Sequence, residues 1–307
     1  MILLSHNRLF LVICLPLRFQ NRSCPAMCSC SFIIPYPHFD VNEIQHVFLA
    51  VFVVFIGCAL LILFVFCIFM YLSDMHTHSI ASGHGTECTI TNMARAAAEK
   101  GLRLLGITDH GPGTLAAGTS SYFRSLTYSP KKHFGVELLY GIELNILDRS
   151  GTVDLDQELL CKLDYAIASM HAWNYRCGTR AENTEAFINV MKNPCVKILG
   201  HSDNTHYPVN YDALARAARE TGTIFEINEA SLAPYGYRGD TRENCFEILR
   251  CCRKYDLPLL LSSDSHGPEH IGDFTCAAEF VHQAMFPEQL ILNNQIPRLK
   301  VFLQTRE

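Results

Sequence analysis

Nine residues with metal-binding side chains follow apolar, strand-like runs between position 70 and the C-terminus. They are His76, His78 and His84 in SDMHTHSIASGH, His110 in GITDH, Glu143 in GIEL, His171 in IASMH, His201 in ILGH, and Asp264 with His266 in LLLSSDSH. Gathering that many imidazoles and carboxylates is costly unless a cation neutralises and orders them. A lone His-x-His is weak evidence, because two surface histidines explain it as well. Here His76-x-His78 and Asp264-x-His266 share a period of two, which puts each pair on one side of a strand. They bracket the set, with His84 close behind the first pair. Asp264 taken alone reads as a cap in a Ser/Asp-rich turn, and Glu143 alone as half of a buried salt bridge. As a set they read as a polynuclear metal centre with a catalytic role. Glu143 and Asp264, its two carboxylates, are the candidate catalytic residues.

The elements that must carry these side chains alternate strand and helix. MYLSDMHTH is read as the first strand and TITNMARAAAEKG as a helix closed by Gly101. Further strands are LRLLGITDH, VELLYGIELNIL, LDYAIASMH, VKILGHS, TIFEINEAS and LPLLLSSDSH. Helices are expected at TRAENTEAFINVMKN, at NYDALARAARETG with Asn210 as N-cap and Gly222 as terminator, and at DTRENCFEILRCCRKYD. Near-continuous apolar strands separated by helices imply parallel pairing buried on both faces. About seven such units predict an α/β fold, a distorted (β/α)7 barrel, in which the carboxyl ends of all strands meet at one rim. A doubly wound open sheet would instead spread the ligands along an edge.

Several polar residues adjoin the set. Asp74 shares parity with His76 and His78 and is expected to orient an imidazole. Asp109 and Asn228 are expected to support the rim. Glu226 reads as a buried partner of a basic group. Arg238, in the YGYRGDTREN loop, is the candidate substrate-binding residue, to be weighed against a solvated loop arginine. His133, His206, His270 and His282 fall outside the pattern.

The remaining composition bounds the function. A formal net charge of −5 and no basic stripe argue against an extended nucleic-acid surface. A phosphate substrate is still compatible, because bound cations reverse the local field. The cysteines after residue 70 show no zinc-knuckle spacing and read as reduced thiols. Residues 1–69 hold only five charged side chains, Arg8, Arg18, Arg22, Asp40 and Glu43. From Val47 to Leu72 the chain is uncharged and apolar almost throughout, longer than the roughly 20 residues that cross a bilayer. Two readings of residues 1–69 follow: a single-pass membrane anchor, or an over-extended reading frame before a natural start at Met70. The second is favoured, because the first barrel strand begins where the apolar run ends and leaves no linker. The expected organisation is a non-catalytic extension over 1–69 and a catalytic domain over 70–307, the latter in the cytoplasm. Membrane association is expected only if the apolar run is a true anchor, and oligomeric state is not legible.

The ordered set, His-x-His with a third His six residues on, then Thr-Asp-His, Gly-Ile-Glu, two strand-end histidines and Asp-x-His, resembles the PHP (polymerase and histidinol phosphatase) family. GITDHGP at Gly106–Pro112 adds to the likeness, which covers Met70–Glu307. The nearest likeness is to small stand-alone phosphatases with a trinuclear zinc site. The resemblance implies that His76, His78, Glu143 and Asp264 hold one ion, that Glu143 bridges to a second held by His171 and His201, and that His84, His110 and His266 hold a third. It implies three divalent ions, zinc first with manganese or iron(II) as alternatives. The implied reaction is hydrolysis of a small phosphate monoester by a metal-bound hydroxide. Histidinol-phosphate hydrolysis and cleavage at nucleic-acid ends are the neighbouring enzyme readings, and a non-hydrolytic metal-binding module is the reading from another class. Ser202-Asp203 stands where such phosphatases often carry Pro-Gly, which bears on substrate preference.

Overall fold

A computed structural model of the chain describes residues 2–5, 8–12, 31–32 and 71–304. The chain divides into two units, Met1–Met70 and Tyr71–Glu307. In the first, Ile2–Ser5 and Arg8–Val12 pair antiparallel, and Ser31–Phe32 pairs antiparallel with the latter. The apolar run read as a membrane span lies, up to residue 70, outside the described residues. Among those described, no helix is long and apolar enough to cross a membrane.

The second unit carries the strands β1 (Ser73–Asp74), β2 (Leu104–Ile107), β3 (Lys132–His133), β4 (Val136–Tyr140), β5 (Ile142–Asn145), β6 (Ala166–Ser169), β7 (Val196–Leu199), β8 (Ile224–Asn228) and β9 (Leu259–Ser262). Helices α1 (Ile90–Glu99), α2 (Ser120–Leu126), α3 (Gln157–Leu160), α4 (Arg180–Met191), α5 (Tyr211–Thr221), α6 (Glu229–Leu232), α7 (Arg242–Tyr255), α8 (Thr275–Gln283) and α9 (Ile296–Gln304) connect and follow them. The helix ends are set by local chemistry. Thr179 and Glu182 form a reciprocal capping box at α4, and Asn210 accepts from Ala213 N at α5. Gly222 then takes the left-handed conformation, φ 67°, that ends α5.

The strands form two sheets, β1-β2-β4-β3 and β9-β8-β7-β6-β5, parallel throughout except for the β3–β4 pair. Two departures from the expected barrel stand out. The run VELLYGIELNIL, read as one strand, is cut at Gly141, so that β4 pairs with β2 while β5 pairs with β6. A Cβ at Gly141 would sit 2.8 Å from the Tyr165 carbonyl oxygen, so only glycine lets the backbone turn there. Secondly, no continuous ladder joins β1 to β9 among the described residues; a single bridge, Thr77 to Ser265, links their ends. Side chains span this gap. Asn293 Nδ2 donates to the carbonyls of Ser73 (2.9 Å) and Leu261 (2.8 Å), while its Oδ1 accepts from Leu261 N (2.9 Å). Asp74 accepts from Ser263 Oγ (2.5 Å), Ser263 N (3.2 Å) and Gly272 N (2.9 Å).

Both sheets bury the same apolar interior. Leu104, Leu139, Ile167, Ile198, Ile224 and Leu260 supply one side chain per strand, and Leu299 and Leu303 of α9 join them. The alternate residues Leu105, Leu138, Ala168, Leu199, Phe225 and Leu261 pack outward into the larger core that includes the helices. This period of two aims residues at the strand ends toward one mouth. At roughly 1.5–3 kcal/mol per buried large aliphatic side chain, the interior cluster is a main source of stability.

Candidate metal centre

The expected ligands are brought together at the carboxyl ends of the strands. His76 and His78 follow β1, His110 follows β2, Glu143 lies on β5, His171 follows β6, His201 follows β7, and Asp264 and His266 follow β9. Three overlapping groups have ligand atoms close enough to share an ion: His76, His78 and Asp264; His110, Glu143 and His171; and His78, His110 and His266. His201 and His84 adjoin them. His201 Nε2 lies 2.9 Å from Glu143 Oε1, and the His84 ring stacks on His110 with centroids 4.9 Å apart.

Glu143 is at the middle. Its Oε1 faces His201 (2.9 Å), His171 (3.2 Å) and His76 (3.4 Å), while its Oε2 faces His110 Nδ1 (2.6 Å) and His78 Nε2 (3.6 Å). The carboxylate thus divides its two oxygens between two groups of imidazoles. Asp264 divides differently. Its Oδ2 accepts from Arg238 (2.6 Å) and Asn228 (3.2 Å), leaving Oδ1 toward His78 (3.1 Å) and His76 (3.6 Å).

The far nitrogens of the imidazoles are held in place. His76 Nδ1 donates to Glu226 Oε2 (2.9 Å), His171 Nδ1 to Asn145 Oδ1 (2.7 Å), and His266 Nδ1 to the Asp264 carbonyl (3.1 Å). Ser82 Oγ gives its single proton to Asp109 (2.7 Å), so it must accept from His78 Nδ1 (2.9 Å). In a neutral ring each of these bonds keeps the proton on Nδ1, which frees Nε2 to act as a ligand. Asn145 is fixed in turn by Asp154, which accepts from its Nδ2 at 2.6 Å.

Electrostatics agrees with this arrangement. Burial pushes His201 down to about 4, helped by the nearby Arg238, so its imidazole is neutral. Burial, with His266 and His110 alongside, likewise holds His78 well below the ordinary histidine value. Burial would raise Glu143, but His171, His110 and His76 hold it well below the usual carboxylate range. At His76 burial is overcome by Glu226, Asp264 and Glu143, which hold it well above. The carboxylates therefore make a pit that calls for positive charge. The clearest sign is a set of buried atoms without a hydrogen-bond partner: His76 Nε2, His78 Nε2, His110 Nδ1, Glu143 Oε2 and His266 Nε2 all belong to this one cluster. Buried polar atoms are rarely left so. A nitrogen-rich donor set with one central carboxylate fits divalent transition ions. His201 and Asp264 also take left-handed backbone conformations, φ 26° and 53°, a strain of ~1–3 kcal/mol each that is typical of functional sites.

Some expectations change. Asp74 orients no imidazole; it accepts from the His76 backbone N–H (3.5 Å) and ties β1 to the loop after β9. The carboxylate that fixes His76 is Glu226. Arg238 is not a solvated loop residue but buried, with Nη2 on Asp264 (2.6 Å) and Nη1 on Asn228 and Ser231 (both 3.2 Å). Asp109 and Asn228 do support the rim: Asp109 accepts from Ser79 N (2.6 Å), Ser79 Oγ (2.8 Å) and Tyr122. Ser82, Asn145 and Asp154 carried no expectation. Asn145 had a signal, since it shares parity with Glu143 on the same strand.

A buried cluster of imidazoles around one carboxylate, at the carboxyl end of parallel strands, has the makeup of a metal-binding site. Comparison with known proteins takes this to a family. Residues 74–232 match the PHP domain. A probable phosphatase of Clostridium novyi is 38% identical over 236 residues, which is 77% of this chain and 96% of that protein. One from Thermoanaerobacter sp. is 39% identical over 235 residues, 76% of this chain and 95% of that protein. Among solved structures, the histidinol phosphate phosphatase of Lactococcus lactis, complexed with zinc, L-histidinol and phosphate, shares the fold with a TM-score of 0.50. It is 17% identical and covers 71% of this chain and 95% of its own. The chain belongs to the PHP domain family, and its enzyme class is that of the phosphatase hydrolases.

Proposed function

We propose that the protein hydrolyses small phosphate monoesters at a three-ion centre held by His76, His78, His84, His110, Glu143, His171, His201, Asp264 and His266. The five partnerless buried atoms, all within this one cluster, carry this reading. Glu143 would serve two ions, one oxygen each, and Asp264 would offer Oδ1 while Arg238 and Asn228 hold Oδ2. Divalent ions held there would supply Lewis acidity toward the phosphoryl oxygens and lower the pKa of a water.

The protein's own residues do the rest by positioning. Glu226 keeps the His76 proton on Nδ1, and the Ser82–Asp109 pair does the same for His78. Arg238 is first the partner of Asp264; a phosphate would meet it as a fixed positive charge. A structural metal site closes with four ligands. This set exceeds four and opens onto a cavity lined by His84, His110, His171 and His266, which favours catalysis over a binding module.

The test is phosphate release from a panel of monoesters before and after chelation. Activity should vanish with the chelator and return with zinc, manganese or iron(II). Unchanged turnover by metal-free protein would refute the proposal.

A further inference from the structure

The cavity over the centre measures about 830 Å³, far more than a phosphate group fills and within the range of ligand sites. Its inner wall is imidazole. Its outer wall is apolar and aromatic, formed by Leu115, Ala116, Ala172, Trp173 and Tyr237, and no Asp, Glu, Lys or Arg is among the residues lining it. Trp173, Leu115 and Tyr237 are 96%, 90% and 79% exposed. Exposed apolar side chains scattered singly need no explanation, but three around one cavity mouth form a patch of the kind that ligands cover.

The two aromatic groups are tied to the candidate ligands. Trp173 sits in a turn closed by Asn174 N and Tyr175 N on the His171 carbonyl, at 3.0 and 2.8 Å. Its indole is therefore two residues from a group at the centre. Tyr237 is braced by Arg238, whose guanidinium lies 4.9 Å from the ring centroid and donates to the hydroxyl at 3.2 Å. Arg238 is itself locked on Asp264. Tyr237 is thus held in place, and the turn fixes the backbone that carries the exposed Trp173 indole beside it at the cavity.

We infer that the alcohol half of the substrate is uncharged and carries a planar π face, which packs on Trp173 and Tyr237 at the mouth of the centre. This rests on the phosphatase reading above. A second phosphate, a carboxylate or an ammonium on that half would lose its water and find no charged partner on the outer wall. A flat, neutral ring would instead cover apolar surface and stack.

Trp173 is the only tryptophan in the chain, so indole emission reports directly on this wall. The full-length protein is titrated with benzylphosphonate and with methylphosphonate, neither of which can be hydrolysed at the C–P bond. In parallel, kcat/KM is measured for benzyl phosphate and glycerol 1-phosphate, both esters of primary alcohols. Benzylphosphonate should change the emission saturably at concentrations where methylphosphonate does not. Benzyl phosphate should be preferred by roughly tenfold or more, and Trp173→Ala should lower that preference about tenfold, with Trp173→Phe restoring most of it. Equal hydrolysis of both esters with unchanged emission would overturn the inference and leave the phosphatase reading standing. Emission change and tight benzylphosphonate binding without hydrolysis of either ester would support the aromatic wall while overturning the phosphatase reading.

Discussion

Glu143 and Glu226 are both fully buried carboxylates beside His76, yet the two should fail differently when altered. Glu143 places each oxygen toward a different set of imidazoles, so in the proposed three-ion centre Glu143→Gln would remove an anionic donor from two ions at once. Loss of metal and a fall in kcat of roughly a hundredfold or more are expected; near-normal rate with full metal content would make Glu143 an ordinary core carboxylate. Glu226 fixes the His76 proton, through its 2.9 Å bond to Nδ1, and otherwise braces the rim, accepting from His201 N (2.7 Å), Asn228 Nδ2 (2.8 Å) and Ser262 Oγ (2.5 Å). Glu226→Gln should weaken metal affinity about 10- to 100-fold and leave kcat close to normal once metal is saturating. A large kcat loss at saturating metal would place Glu226 in the chemistry instead. The ligand types were legible in the sequence because each follows an apolar run and period two fixes its side. Cross-strand partners were not. Parity suggested Asp74 for His76, but the partner comes from β8, 150 residues away. Arg238 read as a loop cation because nothing in YGYRGDTREN signals that its loop folds under Asp264.

At the scale of elements, the helix ends were the most legible features, since Asn210 and Gly222 act on their own helix. Sheet pairing was less so. An apolar run that changes sheets looks like one strand, and Gly141 was the single residue marking the break. The gap between β1 and β9 was not legible at all, because it is spanned by the side chain of Asn293, from outside any strand. Asn293→Leu would leave the Ser73 and Leu261 carbonyls and the Leu261 N–H buried without this partner. At ~1–3 kcal/mol for each unsatisfied group, a loss of about 3 kcal/mol or more is expected, seen as a lower urea midpoint with an unchanged m-value. A midpoint within error of the parent would mean that the two sheets are held together elsewhere.

For the whole molecule, the nine candidate ligands and every strand of the two parallel sheets lie after residue 70. A chain beginning at Met70 should therefore be soluble, bind metal and hydrolyse phosphate esters; failure to fold would make residues 1–69 part of the catalytic unit. If the apolar run is an anchor, the full-length protein should sediment with membranes and resist carbonate extraction. Peptides from Asn21–Gln45 in the native protein would refute a natural start at Met70. Three ligand groups overlap through His78 and His110, whereas a structural site needs one ion and four ligands. Elemental analysis of active protein purified without chelator measures the difference directly. About three divalent ions per chain are expected; one or fewer with activity intact would contradict a three-ion centre.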